Sequence, residues 1–440
     1  MTPVERFREL LSIPTVSRAD PAEVDDADFA RFHAALERLY PRVHARLERE
    51  VVAGRSLLYR WAGRTDQAPL VLLAHQDVVP VDGQVWRHPP FAAQIEGTGT
   101  DATIHARGAI DDKGALVAIL EAVEQALAEG VIPATDVWLA FGHDEETRGT
   151  GARAMAALLA DRGVRPALVL DEGGAVVDGA VPGVAAPTAM IGVAERGSAT
   201  FDLVAREAGG HASTPPPLPA TARLARAVDR LRRRPFRRRL TAPVRAMLVT
   251  AADHTALPLR AVLRNAHLTA PVLTRAFASL GPETNALVRT TAVVTRLEGS
   301  PADNVLATTA RASVNVRLLT GETLSDAAIH LRRAIADPLI DIELRHGDDP
   351  SPVSPWRGAA WRRLSSAVSS TLGDEVVALP YLQLGASDSR FYTALTDAVY
   401  RFAPFHLTRA ERDALHAPDE RIRVDVWLRG IRFYRALLEA

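Results

Sequence analysis

Four short stretches concentrate side chains capable of acid, base or metal chemistry: His75-Gln76-Asp77, Asp111-Asp112, His143-Asp144-Glu145-Glu146 and Asp171-Glu172. Each has an ordinary explanation when taken alone. A His-x-Asp triplet is common, although residues two apart on an extended chain point the same way. A carboxylate so placed can fix the orientation and tautomer of a ligating imidazole. Asp111 and Asp112 precede a helical pattern and could serve as N-terminal caps. Glu145 and Glu146 repel one another unless a metal or a proton compensates them, though a solvated loop could hold them. Four acid-rich stretches in one unit are much harder to ascribe to chance. Carboxylates with imidazole and no thiolate suit zinc first, then manganese or cobalt. Two ions roughly 3.5–4 Å apart and bridged by one carboxylate would form a hydrolytic site.

The elements that must position these groups are legible from hydrophobic patterning. Leu70–Leu73, Val137–Phe141 and Ala167–Leu170 are short, continuously apolar runs, each ending just before one of the polar stretches. Such runs suit strands buried on both faces. Between them Leu116, Ile119, Leu120, Val123 and Leu127 repeat at helical spacing, closed by Gly130 and Pro133. Strands alternating with helices predict an α/β domain with a mixed, largely parallel sheet flanked by helices, and ligands then bind beyond the carboxyl ends of the strands. Nearer the N-terminus, Val4, Phe7 and Leu11 share one helical face, and Phe29, Phe32, Leu36, Leu39 and Val43 share another. After Ile191-Gly192-Val193 the pattern changes. Phe201, Leu203 and Ala205 alternate with polar residues, as do Val314, Val316 and Leu318, and helical patterns follow around Leu224–Leu231 and Ala327–Ile335. This predicts a smaller α+β domain inserted into the first: residues 1–193 and 350–440 form the catalytic domain and 194–349 the insert.

The totals narrow the function classes. A chain of 440 residues exceeds one compact core. Its 47% hydrophobic and 24% charged residues are those of an ordinary globular protein. A formal net charge of −1 gives no global attraction to nucleic acid or an anionic membrane. The absence of cysteine removes thiol nucleophiles, disulfides and thiolate metal sites. No apolar run approaches the roughly 20 residues of a membrane span, and the N-terminus lacks the apolar core of a signal peptide, so a cytoplasmic protein is expected.

The motifs resemble the successive signatures of M20 metallopeptidases: His75-Gln76-Asp77, Gly108 through Gly114, Asp144-Glu145-Glu146, Asp171-Glu172-Gly173 and the late Leu415-His416-Ala417-Pro418-Asp419-Glu420-Arg421-Ile422. Asp388-Ser389-Arg390-Phe391-Tyr392 and Tyr400-Arg401-Phe402-Ala403-Pro404 are similar to the carboxypeptidase S-like and N-acyl-amino-acid hydrolase branch. The resemblance implies a zinc-peptidase-like catalytic domain with a ferredoxin-like lid and dimerisation domain, two divalent ions and a homodimer. It makes His75, Asp111, Glu146, Glu172 and His416 the ligands: His75 and Glu172 for one ion, Glu146 and His416 for the other, Asp111 for both. Asp171 is the alternative to Glu172. The bond from Asp111 to Asp112 is then expected to be cis, Asp77 to hold the His75 ring, and Glu145 to serve as general base and acid. His211, in Gly209-Gly210-His211-Ala212-Ser213, would stabilise an oxyanion, reaching the neighbouring subunit's site. Arg390 is the first choice for binding a substrate carboxylate; Asn304 and Arg317 are weaker choices, and Arg317 could simply pin lid strands. The implied reaction is hydrolysis of an amide bond next to a free carboxylate. A carnosinase-type dipeptidase and a catalytically silent metal-binding protein are the alternatives, the latter predicting a damaged ligand set.

Outside these motifs, the arginine-rich run Arg230–Arg239 reads as a solvated face more readily than as a nucleic-acid patch. Lys113 is the only lysine, and its charge could steady the acidic turn beside it.

Overall fold

A computed structural model describes residues 1–439. Helices Pro3–Leu11 and Asp26–Leu39 precede β1 (Glu48–Val52), β2 (Ser56–Trp61) and β3 (Thr65–His75). A small hairpin, β4 (Gln94–Glu96) and β5 (Thr103–His105), leads to helix Lys113–Ala128, β6 (Thr135–Gly142), helix Thr150–Asp161, β7 (Leu168–Asp171), β8 (Val176–Val177) and β9 (Thr188–Glu195). Next come β10 (Gly197–Arg206), β11 (Gly210–His211), helix Ala220–Arg233 and four helices between Ala242 and Val288. They are followed by β12 (Thr291–Glu298), β13 (Val305–Leu306), β14 (Thr309–Leu318), helix Leu324–Ile335 and β15 (Ile340–Asp348). Helix Ala359–Leu372, β16 (Val377–Gln383), β17 (Val399–Arg401), β18 (Arg421–Arg423) and helix Val424–Glu439 complete the chain.

The large sheet has the order β1-β2-β6-β3-β7-β17-β9-β16, with β8 beside β9. The three apolar runs of the sequence become neighbours at its centre. β3 is parallel to both β6 and β7, with Leu72 opposite Leu139 on one side and Leu170 on the other. Their carboxyl ends therefore share one edge, and that edge carries His75, Gly142 and Asp171. β7 with β17 and β9 with β16 are also parallel, while β1, β2 and β17 add antiparallel pairings. The sheet is mixed and largely parallel, as the alternation of strands and helices predicts. Helix Lys113–Ala128 is buried along nearly its whole length. It packs on the C-terminal helix, where Trp427 donates its indole N–H to the Gly114 carbonyl at 3.0 Å and stacks on Phe7.

A second, antiparallel sheet runs β12-β14-β10-β15 and is covered by helices Ala220–Arg233 and Leu324–Ile335. Phe201, Leu203, Leu224, Val314 and Leu331 form its own core. The helices between Ala242 and Val288 pack elsewhere: Val244, Met247, Leu248 and Phe277 join the core of the large sheet.

Local departures from the sequence reading have physical causes. Val43 leaves the face of Phe29–Leu39 because Pro41 lacks the N–H a continuous helix needs, and a new short helix, Pro41–Arg46, begins there. The alternation along β10 predicts an exposed Asp202, yet it is 3% exposed. β10 lies between β14 and β15, and Asp202 accepts hydrogen bonds from Arg311, Ser313 and Arg345. Several arginines of the basic run bond backbone carbonyls. Arg230 and Arg234 reach the last carbonyls of helix Leu324–Ile335 and the residues just beyond, and Arg239 reaches Thr320. Cations at a helix C-terminus are stabilising there. Lys113 makes no ion pair with the acidic turn. Its buried ammonium donates to the carbonyls of Leu10 and Ile13 and lies 4.9 Å from the Phe32 ring centre. Among the described residues no helix is long and apolar enough to cross a membrane.

Candidate metal centre

His75 ends β3 almost fully buried, with its Nε2 3.0 Å from Asp111 Oδ1 and 3.7 Å from Glu172 Oε1. The other oxygen of Asp111 lies 3.0 Å from His416 Nε2, which is also 3.1 Å from Glu146 Oε2. Asp111 thus faces both histidines, one with each oxygen. Two groups of donors result, His75 with Asp111 and Glu172, and Asp111 with Glu146 and His416. The Asp111–Asp112 peptide bond is cis. Asp171 turns away from this cluster, accepting from the backbone N–H groups of Glu172 and Ser389.

The electrostatics of the cluster call for cations. Burial, then the carboxylates of Asp111 and Asp112, push Glu172 well above the usual carboxylate range. Burial, then Asp388, Glu146 and Asp111, do the same to Glu145. Burial and Asp111 also raise Glu146, whose Oε1 is buried without a hydrogen-bond partner. Hydrogen bonds to Asp111 and Glu146 push His416 up to about 10. Carboxylates crowded in this way ionise together only beside compensating positive charge. Oxygen and imidazole donors converging from two sides of one aspartate fit two divalent ions of the zinc, manganese or cobalt kind.

Asp77 has a broader role than orienting an imidazole. His75 Nδ1 lies 3.0 Å from the Asp77 backbone carbonyl and 3.3 Å from its carboxylate. The same carboxylate accepts from the backbone N–H groups of Glu145 and Glu146, both at 3.2 Å. One buried acid therefore ties the end of β3 to the turn after β6. Asp144 closes that turn by accepting from the N–H groups of Thr150 and Gly151 at the start of the next helix.

Three further groups position the site, and patterning did not reveal their roles. Glu420, fully buried, accepts from the backbone N–H groups of Gly108, Ile110 and Asp111 and pairs with Arg107 at 2.7 Å. Glu195 and Arg401, also buried, pair at 2.7 Å, and the hydroxyls of Ser387 and Ser389 donate to Glu195. This network fixes the short segment Asp388–Tyr392. Asp388 is buried with neither oxygen hydrogen-bonded, and burial together with Asp171 raises its carboxyl. It nests where a Cβ on Gly142 or Gly149 would sit 2.4 or 2.6 Å from its oxygens, so both glycines are needed for close approach. Glu420 and Arg401 lay inside motifs visible in the sequence. Their partners are too distant along the chain for spacing to show.

The same segment brings Arg390 to the acidic turn, with Nη2 3.3 Å from where a Gly149 Cβ would sit. Its Nε is buried without a partner, and its charge, after burial, lowers the pKa of Arg317. Two guanidinium groups thus lie close enough to repel, although Arg317 also donates to Asn315. His211 and Asn304 come together elsewhere. They lie at the paired strands β11 and β13, where Ala212 N–H donates to the Asn304 carbonyl and the exposed His211 ring contacts Ser213. His211 makes no hydrogen bond to the acidic cluster.

The fold and this strand-end cluster define the chain as a metal-dependent hydrolase. It belongs to peptidase family M20/M25/M40, whose sequence profile matches residues 71–440. The chain is 32% identical to the N-fatty-acyl-amino acid synthase/hydrolase PM20D1 of Homo sapiens, over 99% of this chain and 87% of that protein. It is also 32% identical to the "Probable carboxypeptidase S-like 2" of Dictyostelium discoideum, over 99% and 84%. In fold it is similar to the M20 family metallo-carboxypeptidase Sso-CP2 from Sulfolobus solfataricus, with a TM-score of 0.70 and 17% identity over 100% of this chain and 98% of that one. It is similar also to human carnosine dipeptidase 1, with a TM-score of 0.65 and 15% identity over 99% and 95%.

Proposed function

We propose that the chain hydrolyses N-acyl amino acids or the C-terminal bond of peptides, releasing a free amino acid. The observation that carries this reading is Arg390 beside the acidic turn of Glu145 and Glu146, its Nη2 3.3 Å from where a Gly149 Cβ would sit. A guanidinium whose Nε is buried without a hydrogen-bond partner suits a substrate carboxylate. The named activity of PM20D1 in Homo sapiens, at 32% identity over nearly the whole chain, supports an N-acyl amino acid as substrate.

In this reading His75 and Glu172 hold one ion, Glu146 and His416 the other, and Asp111 both, with zinc the first choice. Ions bound there supply Lewis acidity that polarises the scissile carbonyl and acidifies a water. Glu145 takes the water proton and returns it to the leaving nitrogen. Asp77 keeps Glu145 and Glu146 in register with His75. Arg390 anchors the substrate carboxylate, with Arg317 near it, and Asn304 accompanies His211, whose neighbour Ala212 donates to its carbonyl. His211 donates to the oxyanion of a neighbouring subunit's site. A homodimer is supported by the apolar side chains Val293 and Leu297, 57% and 65% exposed on the edge strand β12. The division into 1–193 with 350–440 and an inserted 194–349 accords with the separate core of the smaller sheet, with the helices of 242–288 seated on the larger core.

Release of free amino acid from a panel of N-acyl amino acids and dipeptides tests the reading. Turnover by metal-replete protein that a chelator abolishes and zinc restores is the expected result. Cleavage of dipeptides alone would move the assignment to a dipeptidase. Arg390→Met is expected to raise KM for the preferred substrate by about 10- to 150-fold, the loss of a charge-assisted pair worth about 1.5–3 kcal/mol. Arg390→Lys should recover only part of it, because an ammonium lacks the planar fork. An unchanged KM in both variants would remove Arg390 from the substrate site.

A further inference from the structure

A second convergence of metal-ligating side chains lies outside the cluster described above. β4 and β5 form a hairpin in which Glu96 faces Thr103 and Gln94 faces His105. His105 and Glu96 are therefore diagonal neighbours, with His105 Nε2 3.4 Å from Glu96 Oε2. The segment before the hairpin brings in His88, whose Nε2 is 2.9 Å from the other oxygen, Glu96 Oε1. The two imidazole rings stand edge to face with centroids 5.2 Å apart. One donor atom from each of the three residues lies within 4.8 Å of the other two.

We propose that His88, Glu96 and His105 form a third metal site, which takes a borderline divalent ion of the zinc class. Two imidazoles and a carboxylate match the ligand preference of zinc, and three protein ligands leave a fourth position for water. Calcium and magnesium prefer sets of six or more oxygens and are poorly served here. Burial lowers the pKa of His105, which keeps its ring in the neutral, ligating form. Arg87 also contacts Glu96, at 3.1 Å, and has to yield part of that contact when an ion binds. None of the three residues belongs to the donor groups of the first cluster.

Its place in the fold gives such an ion a role. The segment carrying His88 also carries Gln84, which donates to the His416 carbonyl at 3.2 Å, and Arg87, whose backbone N–H donates to Asp419 at 2.8 Å. Pro90 accepts from the Arg107 N–H at 2.8 Å. An ion joining His88 to the hairpin pins the segment that props the loop bearing His416. It acts as a staple and takes no part in the reaction.

Counting zinc by elemental analysis after equilibrium dialysis tests the proposal independently of any substrate. Wild-type protein should bind three ions per chain. His88→Ala combined with His105→Ala should bind two. Glu96→Gln, a single gentler change whose folding circular dichroism can verify, should also bind two or hold the third at least tenfold more weakly. His75→Ala combined with Glu146→Ala should lose hydrolysis yet retain one ion, and that ion should disappear when the His88 and His105 changes are added. Equal zinc counts in wild type and in both sets of hairpin variants would overturn the proposal, whatever the hydrolytic assays give.

Discussion

Glu145→Gln is expected to lower kcat about 100- to 10,000-fold while zinc content stays at the wild-type level. The substitution keeps the size of the side chain and removes its ability to take a proton. Glu145 is assigned no ligand role, since the two donor groups are complete without it. Its backbone N–H is fixed by Asp77, so the turn should survive the change. Burial, with the carboxylates of Asp388, Glu146 and Asp111, raises its pKa above the usual carboxylate range. Steady-state kinetics beside metal analysis distinguish the outcomes. A large loss of kcat with the metal retained is the signature of the proton carrier. Loss of an ion would make Glu145 a ligand instead, and an unchanged kcat would dismiss it from the chemistry.

The parts of the fold legible in the sequence are those in which a local pattern dictates burial. Leu70–Leu73, Val137–Phe141 and Ala167–Leu170 could be read as strands because a parallel strand at the centre of a sheet is apolar on both faces. Their end residues followed: a polar group after such a run must emerge at the carboxyl edge, where His75 and Asp171 lie. The pairing of Asp111 with both histidines was implied only by resemblance. Spacing cannot show that a residue at 416 returns to meet one at 111. Asp202 failed the alternation rule because ion pairs, with Arg311 and Arg345, make burial of a charge tolerable on an inner strand. The helices between Ala242 and Val288 pack their apolar faces on a sheet that is remote in sequence, a destination local pattern does not show. The hydrogen bonds of Lys113 are equally invisible to local pattern. Its sequence neighbours are acids, yet its bonds go to carbonyls about 100 residues earlier.

The same long-range logic makes Glu420 the position where substitution should cost the most stability. Its two oxygens accept three backbone N–H groups from the turn Gly108–Asp111 as well as the Arg107 guanidinium. Both members of the ion pair are at most 1% exposed. Removing one partner of such a pair leaves a buried charge uncompensated, at a cost of about 3–5 kcal/mol. Glu420→Gln is the sharper test, because it preserves shape. One of its two acceptors becomes an amide that points hydrogens at groups that are themselves donors. Chemical denaturation of the metal-free protein should show the loss directly as a lowered midpoint with an unchanged slope. The turn also presents Asp111, the residue shared by both donor groups, so the variant should hold its catalytic ions more weakly although Glu420 supplies no donor atom to either group. Raising free zinc should then restore much of kcat, a rescue that a directly catalytic residue would not show. A variant of wild-type stability and zinc affinity would mean that the turn holds Asp111 in place without this buried acid.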